Sequence, residues 1–317
     1  MTVEREQVRF LSGDAECAGW FYSGRNGGCV IMAGGLAITK EAATDKFAAR
    51  FAAAGFAVLA FDYRRLGGSD GTPRLVLPVR DQQADWQAAI DFARTRPGVD
   101  PARIALWGFS AAGGHLFPLA ARNPDLAAVI AQTPNVGGLA SVRNASRYQK
   151  PLAMLRFTAR GIVDAVGGRL GRPPRLVPLV GPPGTVAMLT TPDAQVGSRA
   201  LEADRHPEWQ QAVAARTALG MASSRPGRFA SRVRVPLLVL VCDDDRTTPP
   251  ELSVRVAQQA PQAEVVHLPG GHYEPFLDGH ERAVGAELSF LRRHLLGESA
   301  GDRPAAVAPA ESAGRPA

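Results

Sequence analysis

The sequence predicts an α/β fold: a mostly parallel central sheet with helices on both faces, interrupted by an inserted, mainly helical cap. Three observations carry this. Short apolar runs, Cys29–Ala33, Ala57–Phe61, Arg103–Trp107 and Leu126–Ala131, alternate with stretches of helical periodicity. Alternation of strand and helix demands parallel pairing, because a chain that crosses over a helix re-enters the sheet running the same way. The pattern breaks near Thr133 and resumes at Val235, which splits the core around an insertion.

In chain order, Gln7–Leu11 and Cys17–Tyr22 flank the turn signal Ser12-Gly13-Asp14 and read as a β-hairpin. Cys29–Ala33 ends at Gly34-Gly35, and an Ala-rich helix follows from about Thr39 to Ala54, closed by Gly55. After the strand Ala57–Phe61 and a Gly-rich loop, Val79–Arg96 carries Trp86, Ile90 and Phe92 at helical spacing. Arg103–Trp107, a helix over about Ala111–Arg122, and Leu126–Ala131 complete the first part of the core, residues 1–132. Residues 133–232 form the expected cap, with helical pieces at Leu152–Val166 and Trp209–Leu219 joined by connections such as Gly181-Pro182-Pro183-Gly184. The second part of the core, 233–296, holds Val235–Cys242, a helix near Glu251–Gln259, the strand Glu264–Leu268 and a helix over about Gly279–Leu296. Residues 297–317 are Gly, Ala, Pro, Ser and isolated charges, too poor in apolar surface to offset ordering entropy, so a disordered tail is expected there.

Of the 317 residues, 45% are hydrophobic and 21% charged, which excludes disordered, collagenous and coiled-coil classes for the bulk of the chain. A net charge of +6 invites a nucleic-acid reading, but the basic residues are scattered, with only short pairs such as Arg64-Arg65 and Arg292-Arg293, so no nucleic-acid partner is expected. Cys17, Cys29 and Cys242 show neither metal-ligand nor disulfide spacing and read as buried free thiols. Residues Met1–Phe10 lack the apolar core of a secretory signal, and no apolar run approaches the ~20 residues of a membrane span. A cytoplasmic protein with no membrane partner is therefore expected, its oligomeric state left open.

The chemistry begins at Gly108-Phe109-Ser110-Ala111-Ala112-Gly113, between a strand and a helix. A serine on such a strained turn needs small residues two before and two after it, and Gly108 and Ala112 meet that need. The Ser110 hydroxyl is then exposed as a nucleophile, while the N–H of Ala111 at the helix start points where an oxyanion would form. A serine hydroxyl needs an adjacent base, itself oriented by an acid. Candidate acids are Asp243, Asp244 and Asp245, at the end of the strand Val235–Cys242, where open α/β sheets place their sites. The candidate base is His272, on the Gly-rich turn Pro269-Gly270-Gly271-His272-Tyr273.

Serine, acid and base in this order, on this pattern of elements, resemble the α/β-hydrolase superfamily over roughly residues 1–296. Within it, Phe61-Asp62-Tyr63-Arg64 with Gly68-Ser69-Asp70-Gly71 resembles dienelactone-hydrolase-like and Xaa-Pro-peptidase-like members. The resemblance implies a catalytic triad of Ser110, Asp245 and His272, since the family's spacing from a small residue to Asp and then Pro falls on Cys242, Asp245 and Pro249. It also implies a second oxyanion donor, the backbone N–H of Leu36 in Gly34-Gly35-Leu36, although Gly34 stands where the family usually has His. The stretch Leu176–Ala194 resembles hydrolases found beside polyketide and other secondary-metabolite pathways.

The implied enzyme is a serine hydrolase of the esterase or thioesterase type, cleaving an ester, thioester or lactone of a small acyl substrate, free or linked to a carrier protein or CoA. Two rival readings stay open: an acyltransferase or cyclase using the same triad, and a non-enzymatic ligand-binding protein on the same fold. His115, His206, His267, His280 and His294 read as structural. Gly67–Gly71 reads as a surface loop, since it lacks the Lys of a P-loop and dinucleotide-binding spacing. No metal-ligand cluster is visible, and no cofactor is expected.

Overall fold

Both Cys29–Ala33 and Ala57–Phe61 are buried at every position, as strands covered on both faces must be. They lie at the centre of the computed structural model, which describes residues 4–299. The expectation of a disordered tail falls, from residue 300 onward, outside the described residues.

The chain opens with an antiparallel hairpin, β1 (Glu6–Ser12) and β2 (Ala15–Tyr22). It continues through β3 (Cys29–Ala33), α1 (Lys40–Ala53), β4 (Ala57–Phe61), α2 (Val79–Arg94), β5 (Ile104–Phe109), α3 (Ala111–Ala120) and β6 (Ala128–Gln132). An insertion then brings α4 (Gly138–Ala145), α5 (Pro151–Arg169), β7 (Leu176–Pro178), α6 (Gly197–Ala200), β8 (Ala212–Ala214) and α7 (Thr217–Ser223). The core resumes with β9 (Leu237–Cys242), α8 (Pro250–Ala257), β10 (Ala263–Leu268) and α9 (His280–Leu291).

Eight strands form one sheet in the order β1-β2-β4-β3-β5-β6-β9-β10. All pairings from β4 to β10 are parallel, and β2 runs antiparallel to β4. The chain moves outward from β3 to β4 and then jumps back to β5, so right-handed crossovers place α1 and α2 on opposite faces. Accordingly α1 packs with α9, and α2 with α3. This is the parallel sheet with helices on both faces that the alternation predicted, in the α/β-hydrolase arrangement that the resemblance implied.

The insertion departs from expectation in one stretch. Trp209–Leu219 was expected to be helical, but Ala212–Ala214 forms β8, which pairs with β7, and α7 starts only at Thr217. Pairing with a strand distant in sequence, together with the bond from the Ala214 N–H to the Leu75 carbonyl (2.9 Å), outweighs the local helical tendency of an Ala-rich segment.

Several polar residues act as internal bolts. The buried Asp62 carboxylate accepts the N–H of Lys40 (2.8 Å), the Lys40 ammonium (2.8 Å) and the N–H of Gly68 (3.0 Å), tying the start of α1 to the loop after β4. Ser69 donates to the Asp62 carbonyl and accepts from the N–H of Ala18, so the Gly67–Gly71 loop is held by backbone knots. All three cysteines are free and buried, as expected, and burial pushes the Cys29 thiol up to about 12.

Glu287 on α9 is fully buried, and burial pushes its carboxyl well above the ordinary range, with the Trp107 indole pulling the other way. The folded state therefore holds a proton that the unfolded chain gives up as pH rises above the usual carboxylate value, so this group lowers stability progressively toward neutral pH. Glu287→Gln removes the ionisation while keeping the shape. It should raise the melting temperature by roughly 2–6 °C at pH 7 and leave it nearly unchanged at pH 4, as read by calorimetry.

Candidate active site

At the junction of β5 and α3 the backbone of Ser110 takes φ 55°, ψ −115°, a conformation that L residues adopt only under strain. The turn is held on both sides: the Ser110 N–H donates to the Gln132 carbonyl (2.9 Å), and the Ser110 carbonyl accepts from Asn135 (2.9 Å) and Gly114 (3.0 Å). A Cβ on Gly108 would lie 2.8 Å from the Ala112 carbonyl carbon and 2.9 Å from the Gly113 nitrogen, so only glycine lets strand and helix pass this closely.

The ends of β9 and β10 deliver the other two side chains. His272 Nε2 lies 3.0 Å from Ser110 Oγ, and its Nδ1 lies 2.7 Å from Asp245 Oδ2. Both His272 and Asp245 are buried. Asp245 also accepts the N–H groups of Thr247 (2.8 Å) and Thr248 (2.7 Å) on Oδ1 and the Thr248 hydroxyl (2.8 Å) on Oδ2. With its acceptor sites filled, the carboxylate is fixed in place and the imidazole is oriented so that Nε2 faces the serine. The neighbouring acids do not compete: Asp243 is exposed and pairs with His267 (2.7 Å), and Asp244 is exposed.

Leu36 and Ala111 line the same cavity as Ser110. Among the described residues neither backbone N–H meets an acceptor, so both are available to a bound oxygen. Gly34 answers the question its position raised: a Cβ there would lie 2.7 Å from both the Ala43 Cβ and the Ile38 carbonyl oxygen, which leaves no room for His. The loop is steadied instead by the indole N–H of Trp209, which reaches from the insertion to the Ala37 carbonyl (2.7 Å).

The cavity above Ser110 has a volume of about 340 Å³ and lies between the sheet and the insertion. Met154, Phe157, Met188, Leu189, Leu219 and Met221 contribute to its walls, together with a few neutral polar groups including Asn135, Thr190 and Thr191. No Asp, Glu, Lys, Arg or His is among its lining residues. His115 lies elsewhere, buried against Gln82 (3.2 Å), and burial pushes its imidazole down to about 4, so it stays neutral. Among the described residues no cluster of three or more His, Cys, Asp or Glu is arranged to hold a metal ion.

The family model described as serine aminopeptidase, S33, matches residues 25–279. The chain belongs to this family of α/β hydrolases. The S33 hydrolase is 37% identical over 292 residues to the quorum-quenching protein AidA of Acinetobacter baumannii, covering 90% of this chain and 94% of that one. It is 36% identical over 131 residues to the thiohydrolase apmlB of Arthrinium phaeospermum, covering 41% of this chain and 43% of that one. In fold it is similar to the α/β hydrolase GrgF from Penicillium sp. sh18, with a TM-score of 0.78 at 24% identity, over 92% of this chain and 99% of that one.

Two further residues of this S33 hydrolase carried no signal in the sequence beyond their types, and both come from the insertion. Trp209 is one. Asp193 is the other: its carboxylate accepts the N–H groups of Arg246 (2.7 Å), Thr247 (3.3 Å) and His272 (3.2 Å) and the Thr247 hydroxyl (2.9 Å). Burial pushes the Asp193 carboxyl up, but the Arg246 N–H, the neighbouring His272 side chain and the Thr247 hydroxyl outweigh it and hold it below the usual range. It clasps the loops that carry Asp245 and His272 from the outside.

Asp193→Ala leaves these backbone donors unmet and should lower unfolding stability by about 1–3 kcal/mol, with a parallel fall in turnover. Trp209→Phe removes one bond to the Leu36 loop and should cost about fivefold in kcat on a neutral activated ester with little change in KM. Turnover unchanged in both variants would show that the insertion does not steady the site.

Proposed function

We propose that this S33 hydrolase cleaves esters, thioesters or lactones of small, uncharged, apolar acyl compounds through an acyl-enzyme on Ser110. The observation that supports it most is the Ser110–His272–Asp245 hydrogen-bond chain opening on a 340 Å³ cavity with no charged lining residue. That volume falls within the ~300–1,000 Å³ of ligand-binding clefts.

In this reading His272 Nε2 takes the proton as Ser110 Oγ attacks the acyl carbonyl, and Asp245 stabilises the imidazolium that forms. The N–H groups of Leu36 and Ala111 receive the developing oxyanion, each contributing ~3 kcal/mol. Collapse of the tetrahedral intermediate expels the alcohol or thiol, which takes the proton back from His272. Water then attacks the acyl-enzyme with His272 again as base, releasing the acid and restoring Ser110.

Residues 133–232 serve as a cap whose apolar wall selects the acyl chain. A carrier protein or CoA would remain outside while its acyl group enters. Peptides are disfavoured despite the family's description, because a charged amino terminus would find no counter-charge in the cavity. The thiohydrolase relative supports the thioester arm, and the quorum-quenching relative makes small signal molecules the first substrates to try.

Ser110→Ala should lower turnover by at least about 10³-fold and abolish labelling by a fluorophosphonate. Variant turnover near wild type would remove the covalent mechanism. Among neutral aryl esters, kcat/KM should rise about fourfold per added methylene until the cavity fills, and esters ending in a carboxylate should be poor substrates. Products formed in ¹⁸O-labelled water should carry the label in the acid; an unlabelled product formed with an added acceptor would assign acyl transfer instead.

A further inference from the structure

Of the ten large apolar side chains that stand exposed among the described residues, nine lie between Leu139 and Leu176, so the exposed apolar surface is concentrated in one part of the insertion. On α5 they are Leu152, Leu155, Ile162, Val163 and Val166, with Leu170 just beyond its end, each between 49% and 68% exposed. At 3.6 residues per turn they form a stripe ~100° wide. The opposite side of the helix, with Ala153, Gly161 and Asp164, is the one buried against the protein. The helix thus turns Met154 and Phe157 to the cavity and Ala153, Gly161 and Asp164 inward, and still presents a continuous aliphatic stripe to solvent, where a surface helix ordinarily carries polar residues.

Charge follows the same segment. Residues 138–175 contain seven arginines, Lys150 and a single acid, a net charge of +7, so the rest of the chain sums to −1. All eight basic residues are exposed, and none forms an ion pair with a carboxylate among the described residues. The acid, Asp164, is buried and bound to Arg216 (2.9 Å). On the helical wheel Arg156 and Arg160 flank the stripe on one side and Arg169 on the other. Eight of the 36 basic residues thus lie in this one segment of the insertion, three of them on α5.

We propose that the exposed aliphatic stripe of α5, with its flanking arginines, docks on an anionic lipid surface. An aliphatic stripe flanked by unpaired cations is complementary to a layer that is apolar within and negative outside, and a helix of this kind lies in the plane of that layer. A second copy of the chain is a poorer occupant, because two-fold pairing of α5 sets arginines against arginines. The proposal departs from the sequence expectation of no membrane partner, which rested on the lack of a leader and of a spanning run; no described helix is long and apolar enough to cross a membrane, and docking requires none. Leu139 and Val142 of α4 are exposed as well and also line the cavity, so the same insertion carries exposed apolar residues at the site itself. Delivery of apolar acyl substrates from the lipid rests on the function proposed above, whereas docking itself does not.

The test is co-sedimentation of the full chain with vesicles rich in phosphatidylglycerol and with pure phosphatidylcholine vesicles. Binding to the former should exceed the latter at least tenfold and weaken as salt is raised. The double variant R156E/R160E should lose about tenfold or more of that affinity, and L155D/I162D should lose binding to both vesicles. Unchanged thermal unfolding and retained fluorophosphonate labelling of Ser110 show that both variants are folded. Wild-type protein left in the supernatant with phosphatidylglycerol vesicles at low salt overturns the proposal, as do folded variants that bind like wild type. A concentration-dependent dimer abolished by L155D/I162D also overturns it and assigns the stripe to a second copy. Because the readout is binding, failure to dock and failure to hydrolyse esters are separate results.

Discussion

The 2.7 Å contact between the buried carboxylate of Asp245 and Nδ1 of His272 joins the ends of two neighbouring parallel strands and sets the direction of the imidazole. The reach of Nε2 toward Ser110 depends on it, because an imidazole held at one nitrogen can present only the other. The contact in turn depends on the three donors from Thr247 and Thr248 that immobilise Asp245, and on β9 and β10 lying in register so that their C-terminal loops meet. A buried, fully hydrogen-bonded carboxylate is rigid at little entropic cost, since the backbone supplies two of the donors.

On the serine side the constraint is steric. The positive φ of Ser110 persists because the turn is over-determined by Gln132, Asn135 and Gly114, and because Gly108 lets β5 and α3 pass at backbone distance. Small residues around the serine are therefore required by packing, and the same packing leaves the Ala111 N–H facing the cavity.

The insertion does more than roof the cavity. Through Asp193 it binds the loops of Asp245 and His272, and through Trp209 it binds the loop of Leu36. The segment that shapes the apolar wall thus also steadies the groups at its floor, so changes in the one are felt in the other. Its outer side follows a different logic, with an aliphatic stripe and eight unpaired cations that nothing in the rest of the described chain covers.

Much of this was legible in the linear chain because it rests on local or periodic rules. Buried parallel strands are continuous apolar runs, so the core strands and the order of core elements could be read directly, and Gly108 to Gly113 announces a strained turn by its small residues. Asp245 was separable from Asp243 and Asp244 only by family resemblance until burial and the bond to His272 distinguished them. Other features depend on segments far apart in sequence, whose meeting no local pattern encodes: β8 in place of a helix, the grip of Asp193 and Trp209, the exclusion of a side chain at Gly34, and which side of α5 is left facing solvent. The amino-acid order alone determined which residues can do chemistry and which runs can form strands, because those depend on residue type and period; only tertiary packing decided which of them touch and which face solvent, because that depends on the enclosed space and the pairing partners available when the chain closes on itself.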